Sequence, residues 1–179
     1  MATVKLSRNI ILSLKDFFDP LLTAEGYDFS FISAWTEDNK IVVPNDYVAN
    51  QGLIKLPAGK ITISSRNQGS YIEVGGGTQY TDLYINFFIH AITEGQIYDL
   101  LDLFHTSLTD GANKIGGKII SINNYTTTGY PTSTPVKAYD MEVFGVGQKI
   151  VPGLGEDNIA LRYAGMVGFS GKILRRVGL

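Results

Sequence analysis

The residues best able to do chemistry are few. The chain has two histidines, His90 and His105, and no cysteine. Hydrolysis through an activated nucleophile needs a base within hydrogen-bond reach of that nucleophile, so a histidine-dependent mechanism would have to use one of these two. No serine stands in a nucleophile-elbow pattern. His90 falls on the polar side of a strand and His105 in a helix, where an imidazole reads as a surface or hydrogen-bonded structural group. The lack of cysteine excludes disulfides, thiol catalysis and Cys-ligated zinc, and the two histidines lack helical ligand spacing. Asp99 and Asp102 stand three apart on one helix and read as a solvated pair. Gly75-Gly76-Gly77 could approach a phosphate closely, but Thr78, Gln79 and Tyr80 follow it into a strand where a phosphate loop requires a helix, so a hairpin turn is the reading. Asn124-Tyr125-Thr126 fits the glycosylation triplet, which matters only in a secreted chain. These residues assign no catalytic, cofactor or metal site, and the expectation is a protein that is not an enzyme.

The elements that would position any site are clearer. Leu6, Ile10, Leu14, Phe17, Phe18 and Leu21 recur at helical steps, with Ser7 able to cap the start, Gly26 just past the end, and Pro20 threatening an early stop. From about 27 to 80 short β-like pieces alternate with turn residues: Trp35, Ile41 to Pro44, Ile61 to Ile63 and Tyr71 to Val74, read as hairpins or a meander. Leu83, Ile85, Phe87, Ile89 and Ala91 point one way, and Asp82, Tyr84, Asn86, Phe88 and His90 the other, which predicts a central strand. Thr93-Glu94-Gly95-Gln96 has the form of a capping box, and Ile97, Leu100, Leu101, Phe104 and Leu108 make the stripe of a second helix ending near Gly111. Lys118 to Ile122 reads as a strand. Val136 to Val146 and Asn158 to Phe169 read as a late hairpin turning at Pro152-Gly153-Leu154-Gly155.

The expected fold is therefore α+β: a mixed or antiparallel sheet with two main amphipathic helices, about 7–22 and 93–110, packed on one face, plus a β-hairpin extension. At 179 residues the chain suits a single domain over 1–179, with 123–135 as a long surface loop and 171–179 as a basic C-terminal tail. Hydrophobic residues at 44% and charged residues at 18% are a globular composition, and the formal charge of −2 offers no overall attraction to nucleic acid. Neither a signal peptide nor a membrane span is expected. Two features could mark contact surfaces. One is the Thr-rich loop with Tyr125 and Tyr130; the other is the basic end with Lys172, Arg175 and Arg176, whose three cations would give a modest salt-dependent attraction.

This order of elements resembles the tail terminator and head–tail joining (neck) proteins of tailed bacteriophages. The resemblance covers about residues 6–122 and rests on the helix from Ser7, the strand Asp82 to Ala91, and Thr93-Glu94-Gly95-Gln96 opening a helix with Leu100, Leu101 and Phe104. It implies a structural virion protein forming a hexameric ring on the head-proximal end of the tail tube. Its partners would be other copies of itself together with tail-tube and neck or connector proteins. The localisation implied is the virion tail, assembled in the bacterial host cytoplasm, with DNA passing through a lumen without sequence-specific binding and with no membrane partner. Another neck, tail-tube or baseplate subunit is a close alternative. A different class is a monomeric ligand- or carbohydrate-binding module stacking sugars on Trp35, Tyr125 and Tyr130. An Asp/Glu acid–base enzyme is a third, with no pair of acids nominating itself.

Overall fold

Alternating apolar residues make a stable strand only when something covers one side, and here two helices do so. The computed structural model describes residues 6–32, 56–71, 78–109, 118–126, 136–152 and 163–176. Its elements are α1 (Leu6–Ala24), β1 (Ser30–Phe31), β2 (Ala58–Tyr71), β3 (Thr78–Ala91), α2 (Glu94–Thr109), β4 (Ile119–Asn123), β5 (Lys137–Pro152) and β6 (Tyr163–Arg176). The strands form one mixed sheet in the order β1-β2-β3-β6-β5-β4. β1 runs parallel to β2 and every other pair is antiparallel. The fold is α+β as the sequence predicts. Trp35, Ile41 to Pro44, Gly75 to Gly77, Gly111, Tyr130 and the turn from Gly153 lie outside the described residues.

Leu83, Ile85, Phe87, Ile89 and Ala91 of β3 are all buried, as the alternation requires. Phe87 meets both helices: its ring centroid lies 5.4 Å from Phe18 of α1 and 4.5 Å from Phe104 of α2, and these two rings meet edge-on at 4.8 Å. Such pairs add about 0.5–1.5 kcal/mol each beyond the area they bury. At the start of α2, the Gln96 N–H donates to Thr93 Oγ1 at 3.2 Å, while Gln96 Oε1 accepts from the Ile92 N–H at 2.8 Å. The capping box thus forms with its return bond reaching one residue further back than usual.

α1 departs from expectation at both ends. It begins at Leu6, so Ser7 lies inside the first turn instead of capping it. Pro20 does not end the helix, which runs on to Ala24. Phe18 and Leu22 are buried on either side of the proline, and Asp16, whose carbonyl loses a helical partner there, is exposed to water. The true stop is Gly26 at φ 78, with the Tyr27 N–H donating to the Leu22 carbonyl at 2.9 Å and the Gly26 N–H to the Thr23 carbonyl at 3.0 Å, a Schellman pair. α1 contacts both β2 and β4, which stand towards opposite sides of the strand order, so the sheet curls around this helix.

The late hairpin is built into the sheet, with β6 between β3 and β5. Residues 171–176, expected as the start of a basic tail, belong instead to β6, which pairs with β3 as far as Thr78↔Arg176. Val167, Phe169 and Ile173 are buried, and Gly171 completes their alternation at a point where an added Cβ would sit 2.7 Å from Met141 Sδ. The apolar pattern continues through a glycine because the neighbouring methionine already fills the space.

Candidate contact surface

The sheet face turned away from the helices is the largest described surface with side chains suited to recognition. Cross-strand register sets it in rows. Lys60, Phe88, Met166 and Lys149 share one level; Thr62, Asn86, Gly168 and Gly147 the next; Ser65, Tyr84, Ser170 and Phe144 the third; and Asn67, Asp82, Lys172 and Glu142 the last. Tyr84, Phe88 and Phe144 remain 41%, 38% and 42% exposed. The Lys172 ammonium lies 4.9 Å from the Tyr80 ring centroid and 5.8 Å from that of Phe144, a cation–π arrangement.

Between Phe144 and Gly147 the β5–β6 register shifts. Gly145 takes φ 61 there, a left-handed conformation that suits glycine, and the bulge leaves Phe144 standing outward. Beside it lies a hollow of about 260 Å³ lined by Tyr84, Gly145, Gly147, Lys149, Met166 and Gly168. Gly168 forms its floor, where an added Cβ would stand 2.9 Å from the Tyr84 hydroxyl and 3.1 Å from Asn86 Oδ1 and would displace the tyrosine. Asn86 Nδ2 donates to Ser64 Oγ, whereas Asn86 Oδ1 is buried with no hydrogen-bond partner among the described residues. His90 lies further along the same face. Burial holds its pKa below the ordinary imidazole value, and its Nδ1 has no partner among the described residues. That makes it a neutral, half-buried side chain at neutral pH.

A second surface is closed by α1. Asn9, Ser13 and Asp16 follow helical spacing beside the apolar stripe, and Asn9 and Ser13 are buried. Asn9 Nδ2 donates to Asn124 Oδ1 at 2.9 Å and Asn9 Oδ1 accepts from the Tyr125 N–H at 3.2 Å. Ser13 Oγ accepts from the Asn123 N–H at 2.9 Å, and the Tyr125 hydroxyl donates to Asp16 Oδ2 at 2.5 Å. Two backbone donors at the end of β4 and just beyond it are thus satisfied by helix side chains, which occupies that end of the edge. Tyr125 is only 8% exposed, and burial together with its bond to Asp16 pushes its pKa up to about 12. Residues 123–126, expected within the surface loop, are therefore packed. Tyr125 holds the fold together and has no ring face to offer a partner.

The other expected positions separate. Lys172 is on the open face, Arg175 and Arg176 pair along β6 with Gln79 and Thr78, and Tyr130 lies outside the described residues. Asp102 accepts a hydrogen bond from Gln148 Nε2 at 2.9 Å, bracing β5 against α2, and Asp99 is exposed. Asn124, the asparagine of the glycosylation triplet, is bonded to Asn9. Among the described residues no three of His, Asp and Glu converge as metal ligands, and no helix is long and apolar enough to cross a membrane. The alternation in β3 predicts a buried side and a polar side, and does not mark the aromatics of the open face; Tyr84 and Phe88, on the polar side, are their signal in the sequence.

At the far side of the sheet, β1 covers β2 only at Ala58 and Gly59. From Lys60 to Arg66 a groove of about 510 Å³ separates the outer edge of β2 from Ser7 and Ile11 of α1. No protein-family model and no curated protein matches the chain.

Proposed function

We propose that this protein is a structural assembly subunit, of the tail-terminator type in tailed bacteriophages, that closes into a ring between tail tube and neck. The observation that carries the reading is the edge of β2. Along Lys60 to Arg66 it has β3 on one side and, among the described residues, no strand on the other, with a groove beside it. Such an edge accepts an extended segment through backbone hydrogen bonds, which need no particular side-chain motif. At the opposite side of the sheet α1 occupies the end of β4 through Asn9 and Ser13, so the two edges that neighbouring copies would offer differ. A contact of that kind is heterologous, and it closes into a ring when the rotation permits. The elements on which the resemblance rests, α1, β3 and α2, are all present, with Phe87 of β3 packed against Phe18 of α1 and Phe104 of α2. The formal charge of −2 also suits a lumen through which DNA must slide.

Light scattering after size exclusion, over a concentration series and with tail-tube protein added, tests this reading. The expected result is a particle near six copies of the 19.6 kDa chain, about 118 kDa, visible as a ring in negative stain. A chain that never forms a ring, alone or with tube protein, would overturn it.

A further inference from the structure

We propose that the open face of the sheet is a self-complementary dimerisation surface, in which Phe144 of each copy enters the hollow beside Gly147 of the other. The proposal is independent of the ring reading, since it uses a different surface and a different symmetry.

The argument follows from register. On the open face the four levels of β5 are Glu142, Phe144, Gly147 and Lys149, opposite Lys172, Ser170, Gly168 and Met166 of β6. The midpoint of this ladder is at Phe169, paired with Ile85 on β3. A two-fold axis crossing the strands at that level lays each strand over its own copy with the direction reversed. It therefore brings Phe144 over Gly147 of the second copy, and Glu142 over its Lys149. Both relations occur twice, as an isologous contact demands. The outward ring is an exposed aromatic held proud by the bulge, and the hollow, at about 260 Å³, has room for a phenyl group. An added Cβ on Gly147 would meet nothing within 4 Å, so that side of the hollow is open to an incoming ring. Glu142 and Lys149 are complementary only in this reversed arrangement, which also lays Lys172 over Met166 and Asp82 over Phe88 of the second copy. A two-fold axis along the strands would keep Lys149 at the level of lysine and Glu142 at the level of glutamate.

Magnitude sets the expected strength. The face is the outer side of a curled sheet, so contact is confined to β3, β6 and β5, about 14 Å across and roughly 20 Å between the charged rows. That projects to roughly 600 Å² from both copies, below the ~1,200 Å² of stable interfaces, and calls for a weak, reversible dimer.

The test is analytical ultracentrifugation of the full chain from about 5 to about 500 μM, with an expected shift towards the dimer mass of about 39 kDa in the upper range. Phe144→Asp and Gly147→Leu should each abolish the shift. Both positions are exposed, so circular dichroism should show unchanged folding. Lys149→Glu and Glu142→Lys should each raise the dissociation constant about tenfold, and the double reversal should restore it to within about threefold. A wild-type monomer throughout, a dimer indifferent to Phe144→Asp, or a double reversal no better than the singles would overturn the proposal. A six-copy ring that shows no further, Phe144-dependent association at high concentration would overturn it while leaving the ring reading standing. A dimer without rings would do the reverse.

Discussion

The two faces of the sheet carry similar residues and put them to different uses. Phe87 and Phe88 are neighbours on β3, yet the first is enclosed by Phe18, Phe29 and Phe104 while the second faces out beside Met166 and Lys60. Glycines divide the same way. Gly165 lies under Leu101 and Ile97 of α2, with an added Cβ only 2.9 Å from Leu101 Cδ1, whereas Gly147 on the other side meets nothing. On the helix side Gly165 makes room for a part of the same chain; on the open side Gly168 does the same for Tyr84, while Gly147 leaves a hollow for something else. Composition cannot separate these roles, and only the register against the helices does.

The sharpest way to break this contrast is to truncate the adjacent phenylalanines. Phe87→Ala should cost about 3–5 kcal/mol of unfolding free energy, because it removes the ring at the centre of the aromatic cluster and leaves a cavity. Phe88→Ala should cost less than about 1 kcal/mol, since water already reaches the ring. Urea denaturation monitored by circular dichroism measures both, and comparable losses would mean that the open face is structural. Next in size are the glycines. Gly165→Val should destabilise by about 1–3 kcal/mol through overpacking against Leu101 and Ile97, while Gly147→Ala should change stability by less than about 1 kcal/mol. A tolerated Gly165→Val would show α2 able to shift, and would weaken the distinction between the faces.

Much of the helix side was legible in sequence. The alternation from Leu83 to Ala91, the Thr93–Gln96 cap and the stripe from Ile97 to Leu108 each express a period that burial enforces directly. β6 was misread at its end because Gly171 interrupts the apolar alternation, and its reason for being there is Met141 on β5, a contact between distant positions that no local window contains. Pro20 misled for a similar reason: its local penalty is outweighed by the tertiary burial of Phe18 and Leu22. The candidate site was less legible still. Phe144 and Gly147 come together through a bulge whose only mark in the sequence is Gly145 between them, and Tyr125 looked like a loop aromatic because its partners, Asn9 and Asp16, lie more than a hundred positions earlier.

Tyr125 offers the smallest effect and the most specific one. Tyr125→Phe keeps the buried ring and removes only the bond to Asp16, so at neutral pH it should cost about 1 kcal/mol. The pH dependence tests the buried hydroxyl, whose titration Tyr125→Phe abolishes. Folding raises the Tyr125 pKa from 10.0 to about 12, by burial first and by the hydrogen bond to Asp16 next. Between those values the folded chain keeps a proton that the unfolded chain has released, so stability falls as pH rises. The contribution is fully present below pH 10 and is lost as pH climbs towards about 12. Tyr27, also raised by burial and by the nearby Asp99 and Glu25 carboxylates, acts in the same direction and persists in the variant. Urea midpoints between pH 10 and about 12 should therefore fall more steeply for the wild type than for Tyr125→Phe, with the two curves meeting and crossing before the alkaline end. Parallel curves would mean that folding does not hold the Tyr125 proton, and would remove both the burial of its hydroxyl and the Asp16 bond from the account of this edge.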